Sequence, residues 1–130
     1  CALPILYQHL AYSRYVAVAL HSSCEVGMDI EQYGTRVRKV ASRFIRSDEE
    51  PAMMEGDEVY ALLLHWSAKE ALFKLMGVEE VDFIRHLRIF PFSLSEEGEF
   101  EACEYRTGRQ ERYRVRYVTH PDFVLTWIIK

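Results

Sequence analysis

Apolar positions change their period along the chain, and each change marks an element boundary. Residues 14–21, RYVAVALH, are rich in β-branched and aromatic side chains and read as a strand buried on both faces. His21-Ser22-Ser23 makes a turn and 25–31, EVGMDIE, reads as a second strand, so the two are expected to form a hairpin. Gln32-Tyr33-Gly34 breaks the pattern. Thr35 is placed to cap a helix over 36–45, with Val37, Val40, Ala41 and Phe44 on one face. Ser47-Asp48-Glu49-Glu50 has the composition of a cap and first turn of a short helix, and 51–56 is loop-like.

The strongest signal covers 57–76 and is closed by Gly77. Its middle, YALLLHWSAKEALFKLM, is apolar nearly all round, which predicts a helix buried on several sides. Beyond Gly77 the period becomes two. Residues 87–92, 99–105, 111–118 and 123–129 read as strands, with turns at Gly98, Thr107-Gly108 and His120-Pro121-Asp122. The expected architecture is α+β: a β-hairpin, a helical middle with one long buried helix, then an antiparallel meander packed on that helix. With 130 residues and no repeats or linkers, a single domain over 1–130 is expected.

Composition narrows the function classes. The chain is 49% hydrophobic and 28% charged, which suits a globular fold rather than a disordered one. A net charge of −4 argues against general nucleic-acid binding. The apolar stretch 61–76 is broken by His65, Lys69, Glu70 and Lys74 and is too short to span a bilayer. Cys1, Cys24 and Cys103 are odd in number and form no CxxC, as expected of reduced thiols in a cytoplasmic protein. The start at Cys1, directly before an apolar run, reads as a fragment or a chain lacking its natural N-terminus.

Two clusters carry candidate chemistry. In Asp29-Ile30-Glu31 the carboxylates lie two apart on a strand and share a face. Paired carboxylates repel unless a cation lies between them, and one or two of them suit Mg²⁺. The plain alternative is a solvated strand end. On the long helix, Glu70 shares a face with Val59, Leu63, Trp66, Phe73 and Gly77, so a carboxylate sits in an apolar stripe. It needs a metal, a cation or a proton. Lys74 lies one turn on, and a simple i,i+4 ion pair is the alternative there. Together, Asp29, Glu31 and Glu70 could supply three carboxylates to one Mg²⁺, with Lys74 and Lys69 on phosphate oxygens.

Val26-Gly27-Met28-Asp29-Ile30-Glu31, followed by Trp66-Ser67-Ala68-Lys69-Glu70-Ala71-Leu72-Phe73-Lys74 and Gly77, resembles the paired signature of the 4′-phosphopantetheinyl transferases. Val40 to Ile45, with Glu49-Glu50 after it, also resembles a segment of that family. The resemblance implies Asp29, Glu31 and Glu70 as Mg²⁺ ligands. It implies Glu70 as a base for the carrier serine, Lys74 on the coenzyme A pyrophosphate, Lys69 as a nearby supporting lysine, and a packing role for Trp66. The implied reaction moves the phosphopantetheine arm of coenzyme A onto a serine of an acyl or peptidyl carrier protein, releasing 3′,5′-ADP.

The chain departs from the two-lobed members at Leu10-Ala11, where they carry a Ser-His pair for the 3′-phosphate; His9 is two positions out of register. It reads as their motif-bearing lobe without the N-terminal one. Self-association, or pairing with a missing lobe, would then complete the site. The alternative function is a lobe that binds a carrier protein or coenzyme A without turnover.

Other charged groups read as structure first. Arg112, Arg114 and Arg116 share a strand face, with Glu99, Glu101 and Glu104 as expected cross-strand partners. His65, His86 and His120 lack metal-ligand spacing. The basic helix residues Arg36, Arg38, Lys39, Arg43 and Arg46 form either a solvated face or a docking face for an acidic carrier protein.

Overall fold

The computed structural model describes residues 5–7, 17–19, 25–51 and 57–130. Strands β1 (Ile5–Tyr7) and β2 (Ala17–Ala19) pair antiparallel, with Leu6 opposite Val18. The turn at His21–Ser23, the Leu10-Ala11 and His9 positions, Cys1 and Cys24 lie outside the described residues. A five-stranded antiparallel sheet follows. It contains β3 (Val26–Gln32), β4 (Leu87–Ile89), β5 (Glu97–Glu104), β6 (Arg112–His120) and β7 (Phe123–Ile129), in the order β3-β7-β6-β5-β4. The fold is α+β, as the pattern predicts, with the meander β5-β6-β7 built from sequence neighbours.

Among the described residues β3 pairs with the C-terminal strand β7 and β2 with β1, and the turn of the expected hairpin lies outside them. Three expectations need correcting. The helix expected over 36–45 is α1 (Val37–Val40) only; Ala41–Arg43 tightens to a 3₁₀ turn. Val40 leaves helical geometry at φ −111° and ψ 4°, and no side chain caps the start of α1. Residues 47–48 form a turn rather than a helix, and β4 is cut short of Phe92 by Pro91, which has no N–H to donate.

Helix α2 (Glu58–Met76) is the centre of the domain. Asp57 caps it by accepting the Val59 N–H at 2.8 Å. Gly77 closes it at φ +62°, a left-handed conformation that side chains rarely adopt. Its inner face packs on Tyr113, Val115, Tyr117, Val124 and Ile128 of the sheet. The other sheet face carries Arg112, Arg114 and Arg116, which meet Glu101 at 2.9 Å and Glu99 at 3.8 and 3.9 Å. These exposed pairs contribute little to stability. Glu104, by contrast, is buried and accepts the N–H groups of Thr107 and Glu111.

Candidate active site

Strand alternation decides which β3 side chains meet α2. Gly27, Asp29 and Glu31 lie opposite Ile128, Thr126 and Val124, on the face that α2 covers. Gly27 lets the two elements approach: a Cβ there would stand 2.3 Å from the Ala71 carbonyl oxygen and 2.8 Å from the Leu75 Cβ. The contact is locked by Ser67, whose hydroxyl lies 2.8 Å from that of Thr126 and 3.3 Å from the Asp29 carbonyl oxygen.

The DxE pair and the helix cluster therefore share one interface. Lys74 donates to Asp29 Oδ1 at 3.0 Å and to the Met28 carbonyl at 3.2 Å. The Asp29 side chain is fully buried and that of Lys74 is 16% exposed. Trp66 donates its indole N–H to Glu31 Oε1 at 2.9 Å. Glu70 is half-buried within electrostatic reach of Asp29, Glu31 and Lys74.

Proton affinities reflect this crowding. Burial, and then Asp29, push Glu31 up to about 9, while the Trp66 N–H works in the opposite direction. Burial and Asp29 push Glu70 up to about 7, against the pull of Lys74. Crowded carboxylates with raised proton affinity are what a hard cation with oxygen ligands relieves. The donor set of Asp29, Glu31 and Glu70 thus fits Mg²⁺ in chemistry. Among the described residues, no group of three or more His, Cys, Asp or Glu side chains is already gathered for an ion.

Lys69 is where the geometry departs from expectation. It does not face Lys74. Its side chain is fully buried, and its ammonium donates to the Phe44 carbonyl at 2.6 Å, Glu49 Oε1 at 2.8 Å and the Phe83 carbonyl at 3.0 Å. These three bonds match its three donors, so no donor is left for a pyrophosphate in this arrangement. Burial pushes the ammonium down, and Glu49 opposes the shift. Glu49 also accepts the N–H groups of Arg46 and, from β4, Ile89. In the sequence Glu49 reads as part of a helix-capping segment and of the family resemblance, not as the partner of Lys69. The signal that could have singled it out was a second charged residue placed to meet a lysine in the most apolar helix of the chain.

The remaining candidates lie elsewhere. Arg46 turns inward to the Ile84 and Arg85 carbonyls, which removes it from the basic surface left by Arg36, Arg38, Lys39 and Arg43. His65 is buried on the Ala61 carbonyl, and His86 and His120 accept N–H groups of nearby turns.

With this interface in view, the family comparison becomes specific. The model of the 4′-phosphopantetheinyl transferase superfamily matches residues 25–128, spanning β3 through β7 and both signature segments. The chain belongs to the 4′-phosphopantetheinyl transferase superfamily. No curated protein matches it. The superfamily region begins just before the strand that carries Asp29 and Glu31. The packing of β3 on α2 is thus the packing of its two signature segments. No described helix is long and apolar enough to cross a membrane.

Proposed function

We propose that this domain transfers the 4′-phosphopantetheine arm of coenzyme A to a serine of an acyl or peptidyl carrier protein, with Mg²⁺ held by Asp29, Glu31 and Glu70. The observation that supports the reading is the Lys74–Asp29 bond across the β3–α2 interface, with Glu31 and Glu70 within electrostatic reach of Asp29. A divalent cation held by Asp29, Glu31 and Glu70 would supply positive charge to the pyrophosphate. Lys74 bonds Asp29, lies within electrostatic reach of Glu70, and is the group we place on phosphate oxygens.

The serine Oγ attacks the β-phosphorus of coenzyme A. The bond from that phosphorus to the bridging oxygen breaks, and the electron pair leaves with 3′,5′-ADP. The serine proton passes to the Glu70 carboxylate. We place the protein in the cytoplasm, with its site completed by a second copy or by a further lobe.

A second reading is a lobe that binds carrier protein or coenzyme A without turnover. One observation favours it: the buried Asp29 carboxylate already has a cationic partner in Lys74, at 3.0 Å. Transfer of a labelled arm to an apo-carrier protein, with Mg²⁺ and with EDTA, separates the two. The enzyme reading expects metal-dependent labelling that Glu70→Gln abolishes. A folded chain that binds coenzyme A and labels nothing supports the second.

A further inference from the structure

Lys69 sits beside Glu70 in sequence, about 100° round α2 from it, and its ammonium turns away from the carboxylates to the segments around Phe44 and Phe83. There it holds the backbone of two residues whose rings enclose Trp66. The Phe44 and Phe83 carbonyls both accept from the Lys69 ammonium, at 2.6 and 3.0 Å. The Phe44 ring centroid lies 5.2 Å from that of Trp66, and the Phe83 centroid 5.4 Å on. Trp66 in turn bonds Glu31 at 2.9 Å.

We propose that Lys69 is a positioning residue: with Glu49, it clamps Phe44 and Phe83 against Trp66 and so sets the direction of the Glu31 carboxylate. The inference rests on the reading of Glu31 as a metal-holding group. Arg46 reinforces the clamp by tying the segment after Phe44 to the Ile84 and Arg85 carbonyls. Glu49 joins it to β4 through the Ile89 N–H at 2.6 Å. A buried ammonium with three protein acceptors is costly to dislodge, so the clamp has one favoured arrangement. Groups that orient metal-holding side chains act in this indirect way and leave substrate contacts untouched.

The test uses the full chain with Trp127→Phe, which leaves Trp66 as the remaining tryptophan, in two further variants, Lys69→Met and Glu49→Gln. Three quantities are read: the near-ultraviolet dichroism of Trp66, the Mg²⁺ concentration for half-maximal transfer, and the KM for coenzyme A. The positioning role expects a weakened Trp66 band and a Mg²⁺ requirement raised about tenfold, with KM for coenzyme A changed by less than about twofold. Lys69→Met combined with Glu49→Gln should recover part of the loss, because the carboxylate no longer stands buried and uncompensated. A KM raised about tenfold, with the Trp66 band and Mg²⁺ requirement unchanged, would mark a phosphate ligand and overturn the proposal. If Lys69→Met fails to fold by far-ultraviolet dichroism, Glu49→Gln decides: an unchanged Trp66 band and Mg²⁺ requirement overturns the clamp. The dichroism does not depend on turnover. A reference chain without transfer activity therefore counts against the proposed function, while the Trp66 band still tests the clamp.

Discussion

Trp66 on α2 and Glu31 on β3 are joined by a single 2.9 Å hydrogen bond from the indole N–H to the carboxylate. The bond crosses from helix to strand and gives the indole a task besides packing. Trp66→Phe keeps an aromatic ring between Phe44 and Phe83 and removes the donor. Transfer should fall by about tenfold at limiting Mg²⁺ and recover as Mg²⁺ is raised. A Mg²⁺ titration of initial rates checks this, and an unchanged titration curve would mean that Glu31 is held by its other contacts.

Gly27→Ala tests the close packing that brings β3 to α2. The added methyl would stand 2.3 Å from the Ala71 carbonyl oxygen, which belongs to the helix backbone and cannot swing aside. Overpacking of this kind typically costs about 1–3 kcal/mol. Chemical denaturation should show that loss. The Mg²⁺ requirement should rise with it, because Asp29 and Glu31 move with the strand.

Lys74→Met removes the cation bonded to Asp29, whose side chain is fully buried. Breaking such a pair from one side costs on the order of 3 kcal/mol when the remaining charge stays buried. The thermal midpoint should fall, and Mg²⁺ should restore more of it in the variant than in the parent chain, since both cations serve the same carboxylate. Thermal melts with Mg²⁺ and with EDTA decide it; equal Mg²⁺ effects in both chains would separate Lys74 from the metal-holding groups.

His65 supplies the pH dependence. Burial holds its pKa below the ordinary 6.5. The Ala61 carbonyl can only accept, so Nδ1 carries the proton of the neutral ring at 2.8 Å. A depressed folded pKa contributes stability that is present above the unfolded value and lost as pH falls through the folded one. Glu31 and Glu70, whose folded values are raised, titrate with the opposite sign: their contribution is lost as pH rises toward about 9 and about 7. The informative quantity is therefore the difference between the parent chain and His65→Leu. That difference should shrink as pH is lowered below about 6.5, measured by thermal melts across the acid range.

Elements defined by their own residues were legible in the sequence. Asp57 and Gly77 bracket α2, and the alternation of arginines with Tyr113, Val115 and Tyr117 marks β6 and its two faces. The common face of Asp29 and Glu31 followed from strand period alone. The pairing of β3 with β7 left no local trace, because its partners are almost the whole chain apart. The burial of Lys69 was hidden for a related reason. Its acceptors come from Phe44, Glu49 and Phe83, in segments whose arrival at α2 no periodicity reports. The helix expected over 36–45 gives way to a 3₁₀ turn after Val40, whose backbone leaves the helical region.

The strand order also sets a timetable for biosynthesis. The hairpin of β5 and β6 can close as soon as both are made. Thr126, which stands opposite Asp29 and anchors Ser67, belongs to the final strand of the sheet. A ribosome must deliver Phe123–Ile129 before β3 gains that neighbour. Asp29 and Glu31 are thus translated well before they are seated, and a nascent chain paused before Phe123 exposes both carboxylates without the strand that fixes them.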